Sequence, residues 1–379
     1  MTDSTLTVQF ASSDINDASQ AVASLVEQLK GAEPNLVCFF CGSRYDLQAL
    51  SQAVRDSFTC PVIGCTTSGE ISRESGYSKD SIVAVALTSE QLFLKTYLLS
   101  DLDHFSLAQG RELLHQVNKD FPERSSPGFK KFGLLLIDGL CACEETIIGT
   151  LAATFPQIPI VGGSAGDDLS FKETFLYVDG SFVSGVALLT VFETSLPFKT
   201  FQTQHFRPTE KKLVITEANP AKRQVTEING YPAASEYARL LGMDKSELSG
   251  ADFSFNPMML KIDGEYHVRS IQKVNSDDSL TFYCAIDKGL VLTIGIGDSI
   301  IEETRSALEE IAEKVGEPQL TLGCDCILRR LEIEADNIQE EMSDVLAIYK
   351  FIGFSTYGEQ YRGVHVNQTM TGIMIGGQT

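Results

Sequence analysis

The sequence contains no tryptophan, only five histidines, and 30 basic residues against 51 acidic ones. Without tryptophan, the large apolar side chains of a core must come from 22 phenylalanines, 11 tyrosines and the aliphatic residues. The acidic excess gives a formal net charge of −21, and so negative a surface repels phosphate backbones and anionic lipids. We therefore expect neither nucleic acid nor a membrane as a partner. The charge serves either solubility or docking to a basic patch on a partner protein.

Long apolar runs and a secretion signal are also missing. No apolar stretch reaches the ~18–20 residues of a membrane helix. The first residues, Met1 to Ser4, form neither a basic nor an apolar targeting region, so we expect a cytoplasmic protein. In that compartment the nine cysteines, an odd number, are expected to be reduced and mostly buried.

A length of 379 residues corresponds to two or three domains. Predicted strands and helices alternate along the first part of the chain, and near Phe171 the pattern changes to strands alone. Asp179-Gly180 predicts a tight hairpin turn, and the polar run Pro208–Lys212 predicts a linker. We expect a mixed α+β fold of the broad α/β type with two domains, residues 1–207 and 208–379. Each would contain a mixed sheet or layered sheets flanked by helices.

One long helix is predicted in the second half, from Cys326 to Tyr349. Its apolar residues recur at steps of three and four and form a wide stripe. Such a stripe is more often core than a subunit interface, and a homodimer stays open as an alternative.

The segment Gly162–Gly166 matches the G-x-S-x-G pattern of a nucleophile elbow. That elbow places its serine, here Ser164, at the start of a helix, whereas the residues that follow predict a hairpin. We therefore favour a structural turn or an anion-binding nest, and we expect no catalytic residues. An enzyme with Ser164 or a cysteine as nucleophile is the reading that an elbow would support.

The cysteine spacing raises the question of a metal. Cys38-x-x-Cys41, together with Cys60 and Cys65, superficially suggests zinc. Because alternate strand residues face opposite ways, Cys38 and Cys41 are expected on opposite faces, which favours buried structural thiols. Cys60-Pro61 also resembles the Cys-Pro element of some haem-responsive proteins, although Pro61 at the start of a strand explains it equally well.

Two histidines stand in positions that suit a binding site. His205 is followed by Phe206-Arg207-Pro208 at the expected domain junction. His365 shares one strand face with Asn367 and Thr369, and such a polar row either meets solvent or lines a site. The three other histidines suggest less: His104 and His115 fall on an exposed helix, and His267 could be a packed aromatic ring.

Several strings resemble the FIST family of sensory proteins. Val62–Glu70, Val161–Asp167 and Tyr177–Gly180 are similar to its N-terminal domain. Glu227–Ala233 and Gly353–Glu359 are similar to its C-terminal companion. The similarity extends over almost the whole chain, so it implies a sensory protein in signal transduction.

Three further strings look like the haem-binding, nitric-oxide-sensing subgroup of that family, usually called NosP. They are Gln204–Pro208, Leu322–Glu332, and Tyr357–Gln360 followed by His365 to Thr369. The resemblance implies a bacterial haem b protein that binds nitric oxide. It also implies regulation of a sensor histidine kinase, and thereby of two-component signalling, cyclic-di-GMP turnover and biofilm formation.

Under this resemblance, four residues are candidates for holding haem. His205 and His365 would ligate the iron, and Arg207 and Arg362 would pair with the propionates. The sequence contains no C-x-x-C-H, which excludes covalent c-type attachment. The alternative is an ordinary FIST sensor for a small metabolite, such as an amino acid, without haem.

Overall fold

A computed structural model describes residues 6–31, 33–122, 128–248, 250–262 and 264–377. The chain forms two compact units. The first unit contains the residues up to Thr203, then Arg305–Val364, and the residues from Met370 onward. The second unit contains Gln204–Thr304 and His365–Thr369. The expected mixed α+β class and the two-domain organisation are confirmed, but the compact units are not two contiguous halves of the chain.

The strands of the first unit that precede the second unit are β1 (Thr7–Ser13), β2 (Leu36–Gly42), β3 (Val62–Thr67), β4 (Glu70–Ser72), β5 (Gly76–Ser78), β6 (Ile82–Thr88), β7 (Leu92–Leu99), β8 (Lys130–Ile137), β9 (Ile160–Ser164), β10 (Leu176–Val178), β11 (Ser181–Val183), β12 (Ala187–Thr194) and β13 (Phe198–Thr203). The next strands are β14 (Phe206–Asn219), β15 (Gln224–Ile228), β16 (Tyr231–Pro232), β17 (Met258–Ile262), β18 (Glu265–Arg269), β19 (Ile271–Val274), β20 (Leu280–Phe282) and β21 (Val291–Gly297). The last strands are β22 (Pro318–Cys326), β23 (Phe351–Thr356), β24 (Glu359–Tyr361), β25 (Val364–Val366) and β26 (Met370–Gly376).

The helices are α1 (Ala18–Gln28), α2 (Leu47–Ser57), α3 (Leu107–Asp120), α4 (Glu144–Thr154), α5 (Ala233–Leu241), α6 (Gly250–Phe255), α7 (Ile300–Val315), α8 (Ile327–Ala335) and α9 (Gln339–Ile348). Short 3-10 turns cover Leu102–His104, Pro220–Lys222 and Lys245–Glu247. Among the residues that the structure describes, no helix is long and apolar enough to cross a lipid bilayer.

Three sheets build the first unit. Their strand orders are β1-β6-β2-β3-β10-β11, then β24-β9-β8-β12-β7, and β13-β26-β22-β23-β4-β5. Each sheet contains one parallel pair whose strands are joined through helix: β2 with β3, β8 with β9, and β22 with β23. A parallel connection needs such a crossover, which explains why helices and strands alternate in the sequence.

The central strand β2 shows why its sequence is apolar throughout. Phe40 and Cys38 pack into one hydrophobic core, whereas Phe39 and Cys41 pack into another. A strand that is covered on both faces has no solvent-facing positions, so its residues form a continuous apolar run. The expectation that Cys38 and Cys41 face opposite ways is confirmed.

The second unit is built on an antiparallel sheet with the order β18-β17-β21-β14-β15-β20-β19, and β16 pairs with β15. The linker predicted at Pro208–Lys212 is wrong, because these residues lie inside β14. The register of β14 against β21 shifts between Pro208 and Lys212, so the polar run is an irregular stretch within this strand pair and not a connection between domains. The boundary expected between residues 207 and 208 therefore falls within a strand.

Two local predictions have opposite outcomes. The Asp179-Gly180 hairpin is confirmed, since Val178 pairs with Ser181 and both turn residues have positive φ.

The prediction of one long helix over Cys326–Tyr349 is wrong. Strand β22 ends at Cys326, and α8 and α9 are separated at Asn337, whose φ is +57°. The apolar stripe runs through this break because both helices bury residues in the first unit.

Candidate functional site

His205 lies in the second unit immediately before β14, and only 1% of it is exposed. Its backbone oxygen accepts a hydrogen bond from the Asp298 amide at 2.7 Å, and its ring packs 4.0 Å from that of Phe206. The neighbouring Arg207 points outward, where its Nε is 3.0 Å from an Asp298 carboxylate oxygen. The structure thus buries the histidine and exposes the arginine beside it.

His365 belongs to the same unit and is equally buried, at 1% exposure. Its backbone oxygen accepts a hydrogen bond from Nη1 of Arg269 at 3.0 Å. Arg269 ends β18 and is itself only 6% exposed. The second candidate histidine is therefore positioned by a buried guanidinium group.

Strand β18 anchors the segments of both histidines. The Gln204 side chain, next to His205, donates to the Tyr266 backbone oxygen at 2.7 Å. Tyr266 and Arg269 are three residues apart, about 10 Å along a strand. His267, which is 5% exposed, lies between these two anchor points. We call Gln204, His205, His267, Arg269, His365 and Asn367 the buried polar region of the second unit.

The buried polar region contains unused hydrogen-bonding capacity. Asn367 is 1% exposed, and neither its amide oxygen nor its amide nitrogen has a hydrogen-bond partner among the described residues. The same holds for Oε1 of Gln204 and Nε of Arg269. Each such buried group costs about 1–3 kcal/mol unless a ligand or water satisfies it. These atoms are therefore available to a polar ligand.

The polar row predicted around His365 does not meet solvent, because His365, Asn367 and Thr369 are all buried. Strand alternation ends at Val366, and Gln368 takes a positive φ of 51°. The Gln368 amide then bonds within the second unit, to the Ser270 hydroxyl at 3.0 Å and the Ser254 backbone oxygen at 2.9 Å. Of the two readings of this row, the solvent-facing one is excluded.

Of the four residues expected to hold haem, the structure brings His205, His365 and Arg207 into one unit and places Arg362 in the other. Arg362 is exposed on a turn with φ +46°, with its guanidinium 5.1 Å from the centre of the Tyr361 ring. The sequence reading missed Arg269 as a buried cation. No local pattern marked it, because its bond to His365 exists only in the folded chain.

Comparison with protein families assigns nearly the whole chain. A FIST N domain matches residues 35–231, and a FIST C domain matches residues 233–362. The chain belongs to the FIST family. FIST domains have a sensory role in signalling, so this coarser part of the functional prediction is confirmed.

Individual relatives add little. An uncharacterized protein of Methanocaldococcus jannaschii is 23% identical over 337 residues, which cover 84% of this chain and 64% of that protein. This FIST chain thus spans about two thirds of the relative's length. Among solved structures, PurLQS from Thermotoga maritima matches with 9% identity and a TM-score of 0.23, covering 100% of this chain and 73% of that one. T. maritima PurL complexed with AMPPCP matches with 10% identity and a TM-score of 0.21, covering 98% of this chain and 72% of that one. Similarity this low supports no argument.

The FIST string around Ser164 is not a nucleophile elbow. Ser164 ends β9, and the next regular element in the described chain is strand β10, not a helix. The Ser164 hydroxyl accepts a hydrogen bond from Gln360 Nε2 at 3.0 Å. The backbone N–H groups of residues 164, 165 and 166 donate to the backbone oxygens of Gly358, Ile137 and Thr66, so they form no open anion-binding nest. This segment is a structural turn of the FIST fold.

The FIST string that ends at Glu70 places a carboxyl group in the core of the first unit. Glu70 is fully buried and accepts hydrogen bonds from the Thr67 hydroxyl and from the hydroxyl and amide of Ser81. Burial raises the pKa of Glu70 to about 7, although these hydrogen bonds oppose the shift. Glu70 is therefore a group that titrates near neutral pH.

The string Leu322–Glu332, which suggested the nitric-oxide-sensing subgroup, has a structural explanation in the first unit. Arg329 and Asp325 are both fully buried and form an ion pair at 2.7 Å, and Tyr77 donates to the same carboxylate at 2.7 Å. The next residue, Arg330, bonds the Ser78 backbone oxygen and Glu334, each at 2.9 Å. The charged residues of this string thus fasten α8 to neighbouring strands.

The cysteines are all free thiols. Burial strongly raises the pKa of the thiols at Cys38, Cys41, Cys65 and Cys324, so these groups stay protonated. Within the described residues, no group of three or more His, Cys, Asp or Glu side chains is arranged to hold a bare metal ion. Haem iron differs in that the porphyrin supplies most of its ligands, and one or two protein side chains complete them.

Proposed function

We propose that this FIST protein is a haem-based nitric oxide sensor whose ligand site is the buried polar region of the second unit. The observation that carries the proposal is the burial of His205 and His365 in one compact unit, although they are far apart in the sequence. An imidazole shielded from water is the usual proximal ligand of a haem that binds diatomic gases.

The buried polar region contains the types of side chain that bind haem. A buried imidazole from His205 or His365 would hold the iron. Arg269 would attract a propionate, since its guanidinium is buried and its Nε is unused by the described residues. When bound, haem would supply the iron that takes up nitric oxide. The chain itself positions the imidazoles through Gln204 and Arg269 and keeps water away from them.

Absorbance spectra of the full chain reconstituted with haemin test this proposal. We expect a Soret band that shifts on reduction and again on addition of nitric oxide. His205→Ala or His365→Ala should change the spectrum, and free imidazole should restore it in the variant that lost the iron ligand. His115→Ala, on the exposed face of α3, is the matched control. Absence of a specific Soret band, or wild-type spectra in both variants, would contradict the proposal.

A small polar metabolite is the second candidate, and a specific observation favours it. The free amide of Asn367 and the unused Nε of Arg269 would suit the polar groups of an amino acid. A metabolite that binds the folded state raises the melting temperature, whereas haem titration would then give no saturable signal. Thermal-shift screening of amino acids beside haemin titration separates the two candidates.

The output we propose is regulation of a sensor histidine kinase. A net charge of −21 favours a partner with a basic surface and speeds their encounter at low ionic strength. Autophosphorylation of a candidate kinase should change when this protein is added, and the change should weaken as salt rises from 0.05 to about 0.5 M. A salt-independent effect would show that the charge serves solubility alone.

A further inference from the structure

A cleft of about 530 Å³ lies on the first unit. One side is formed by α2, β3 and β10, and the other by β7, which is the last strand in the order of its sheet. Val62 and Leu94 contribute apolar surface from the two sides. A cleft of this volume is within the range of about 300–1,000 Å³ that small-molecule sites occupy.

Two cations, Arg55 and Lys95, and one carboxylate, Asp179, line this cleft. The Arg55 guanidinium donates to the Gly180 backbone oxygen and to the Gln52 side chain, the latter at 2.7 Å. Among the residues described, no carboxylate forms an ion pair with it. Lys95 is the second cation, and its Nζ lies 2.9 Å from the Asp120 carboxylate. The Arg55 charge is thus available to an anionic ligand.

Tyr177 adds a neutral donor to the same cleft. Its ring is 1% exposed and packs edge-on against Phe39, with the ring centres 5.1 Å apart. No described residue forms a hydrogen bond with its hydroxyl. Burial raises the pKa of the phenol, and the charge of Arg55 opposes that shift. The Arg55 guanidinium therefore acts electrostatically on the Tyr177 hydroxyl. The phenol therefore stays protonated and able to donate.

We propose that this cleft binds a small carboxylic acid with an apolar body. A guanidinium group pairs with a carboxylate through two parallel hydrogen bonds, and the Tyr177 hydroxyl offers a third donor. Val62 and Leu94 would cover the apolar body. The proposal concerns the first unit and is independent of haem in the second.

Calorimetric titration of the full chain with phenylacetate tests the charge requirement. Phenylacetamide has nearly the same shape without the charge, and phenylethylamine reverses it. We expect phenylacetate to bind at least tenfold more tightly than phenylacetamide and phenylethylamine not to bind. Equal affinity for the acid and the amide, or no binding of the acid at millimolar concentration, would overturn the proposal.

Variants locate the site. Arg55→Gln should weaken phenylacetate binding about tenfold or more, because it removes a charged hydrogen-bond donor. Tyr177→Phe keeps the ring in the core and should weaken binding by a smaller factor. Arg111→Gln removes an exposed arginine outside the cleft and should have no effect. Wild-type affinity in the Arg55 variant would place any binding elsewhere.

Cys60 provides a readout that needs no variant. It lines the cleft and is half-buried. Bound phenylacetate should slow alkylation of Cys60 by iodoacetamide at alkaline pH, whereas phenylacetamide at the same concentration should leave the rate unchanged. An unchanged rate with phenylacetate, or equal protection by the amide, would contradict binding in this cleft.

Discussion

Asn367 buries a side-chain amide whose two polar atoms have no hydrogen-bond partner among the described residues. We expect Asn367→Leu to leave the free energy of unfolding unchanged or to raise it by up to about 1–3 kcal/mol, because it removes an unsatisfied polar group. The same change should weaken ligand binding in the second unit. Urea unfolding and haemin titration measure the two effects.

Asn275→Leu is the control for this substitution. The Asn275 amide donates to the hydroxyls of Ser279 and Thr281 at 3.0 and 2.9 Å, so its loss should destabilise the second unit. If Asn367→Leu destabilises the protein as strongly as the control, the Asn367 amide stabilises the fold and does not serve as a ligand-binding group.

Glu70 makes stability depend on pH in a defined direction. Its pKa rises from 4.5 to about 7 on folding, so the folded state binds the proton more tightly than the unfolded state. The resulting stabilisation is fully present below about pH 4.5 and is lost as the pH rises to about 7. A shift of this size corresponds to at most about 3 kcal/mol.

Glu70→Gln should remove this dependence. The free energy of unfolding of the variant minus that of the wild type should increase between pH 5 and 8, as measured by urea unfolding across that range. Glu74→Gln, at an exposed position in the same region, should give a flat difference. A flat difference for Glu70→Gln as well would show that Glu70 titrates normally in the folded protein.

At the residue scale, only part of the buried polar region could be predicted from the sequence. Histidines at 205 and 365 could be picked out because histidine is rare in this chain and both follow recognisable strings. Arg269 and Gln204 could not, because their importance comes from bonds to residues distant in the sequence, His365 and Tyr266. Side chains that meet only through tertiary structure leave no local pattern.

Helix α8 is attached to the sheets through the buried pair of Asp325 and Arg329. Arg329→Met should leave the Asp325 carboxylate buried without its cation and cost about 3–5 kcal/mol of folding free energy. Arg111→Met, at an exposed site on α3, should change it by less than about 0.5 kcal/mol. Thermal and urea unfolding compare the two, and a similar small loss in both would mean that water reaches Asp325.

Elements were predictable where their signals are local. The hairpin at Asp179-Gly180 followed from a turn that demands positive φ, and β2 followed from its apolar run. The break between α8 and α9 was hidden because the apolar stripe continues through it and Asn337 is a weak stop signal. Strand β14 was hidden because a bulge carries the polar residues that usually mark a linker.

For the whole molecule, the division of the chain into units was beyond sequence reasoning. A five-residue excursion, His365–Thr369, belongs to the second unit while both flanking stretches belong to the first. Composition and periodicity depend on neighbours along the chain, so they do not show that a short segment belongs to a different unit from the residues on either side of it. Length limited the number of domains to two or three, and the change of pattern near Phe171 favoured two, whereas the membership of each unit follows from pairing between distant strands.

The discontinuous units lead to a prediction about fragments. Residues 1–207 contain β13, β4 and β5 but lack β22, β23 and β26, with which these strands form a sheet. We expect this fragment to lose cooperative unfolding and to be cleaved rapidly by protease, in contrast to the full chain. Circular dichroism during urea unfolding and limited proteolysis test this. A fragment that unfolds cooperatively would show that the first unit does not need its C-terminal strands.

Strand β26 also has a consequence for the order of events during synthesis. It lies between β13 and β22, and it is formed by Met370–Gly376, which are synthesised after the whole of Gln204–Thr304. Domains usually fold as they emerge, from the N-terminus onward. The first unit begins to form before the second unit but is completed after it, because its third sheet lacks β26 until most of the second unit has been synthesised. The nascent chain therefore presents unpaired strand edges until β26 has emerged, and a ribosome stalled before residue 370 would hold a protein with an open sheet.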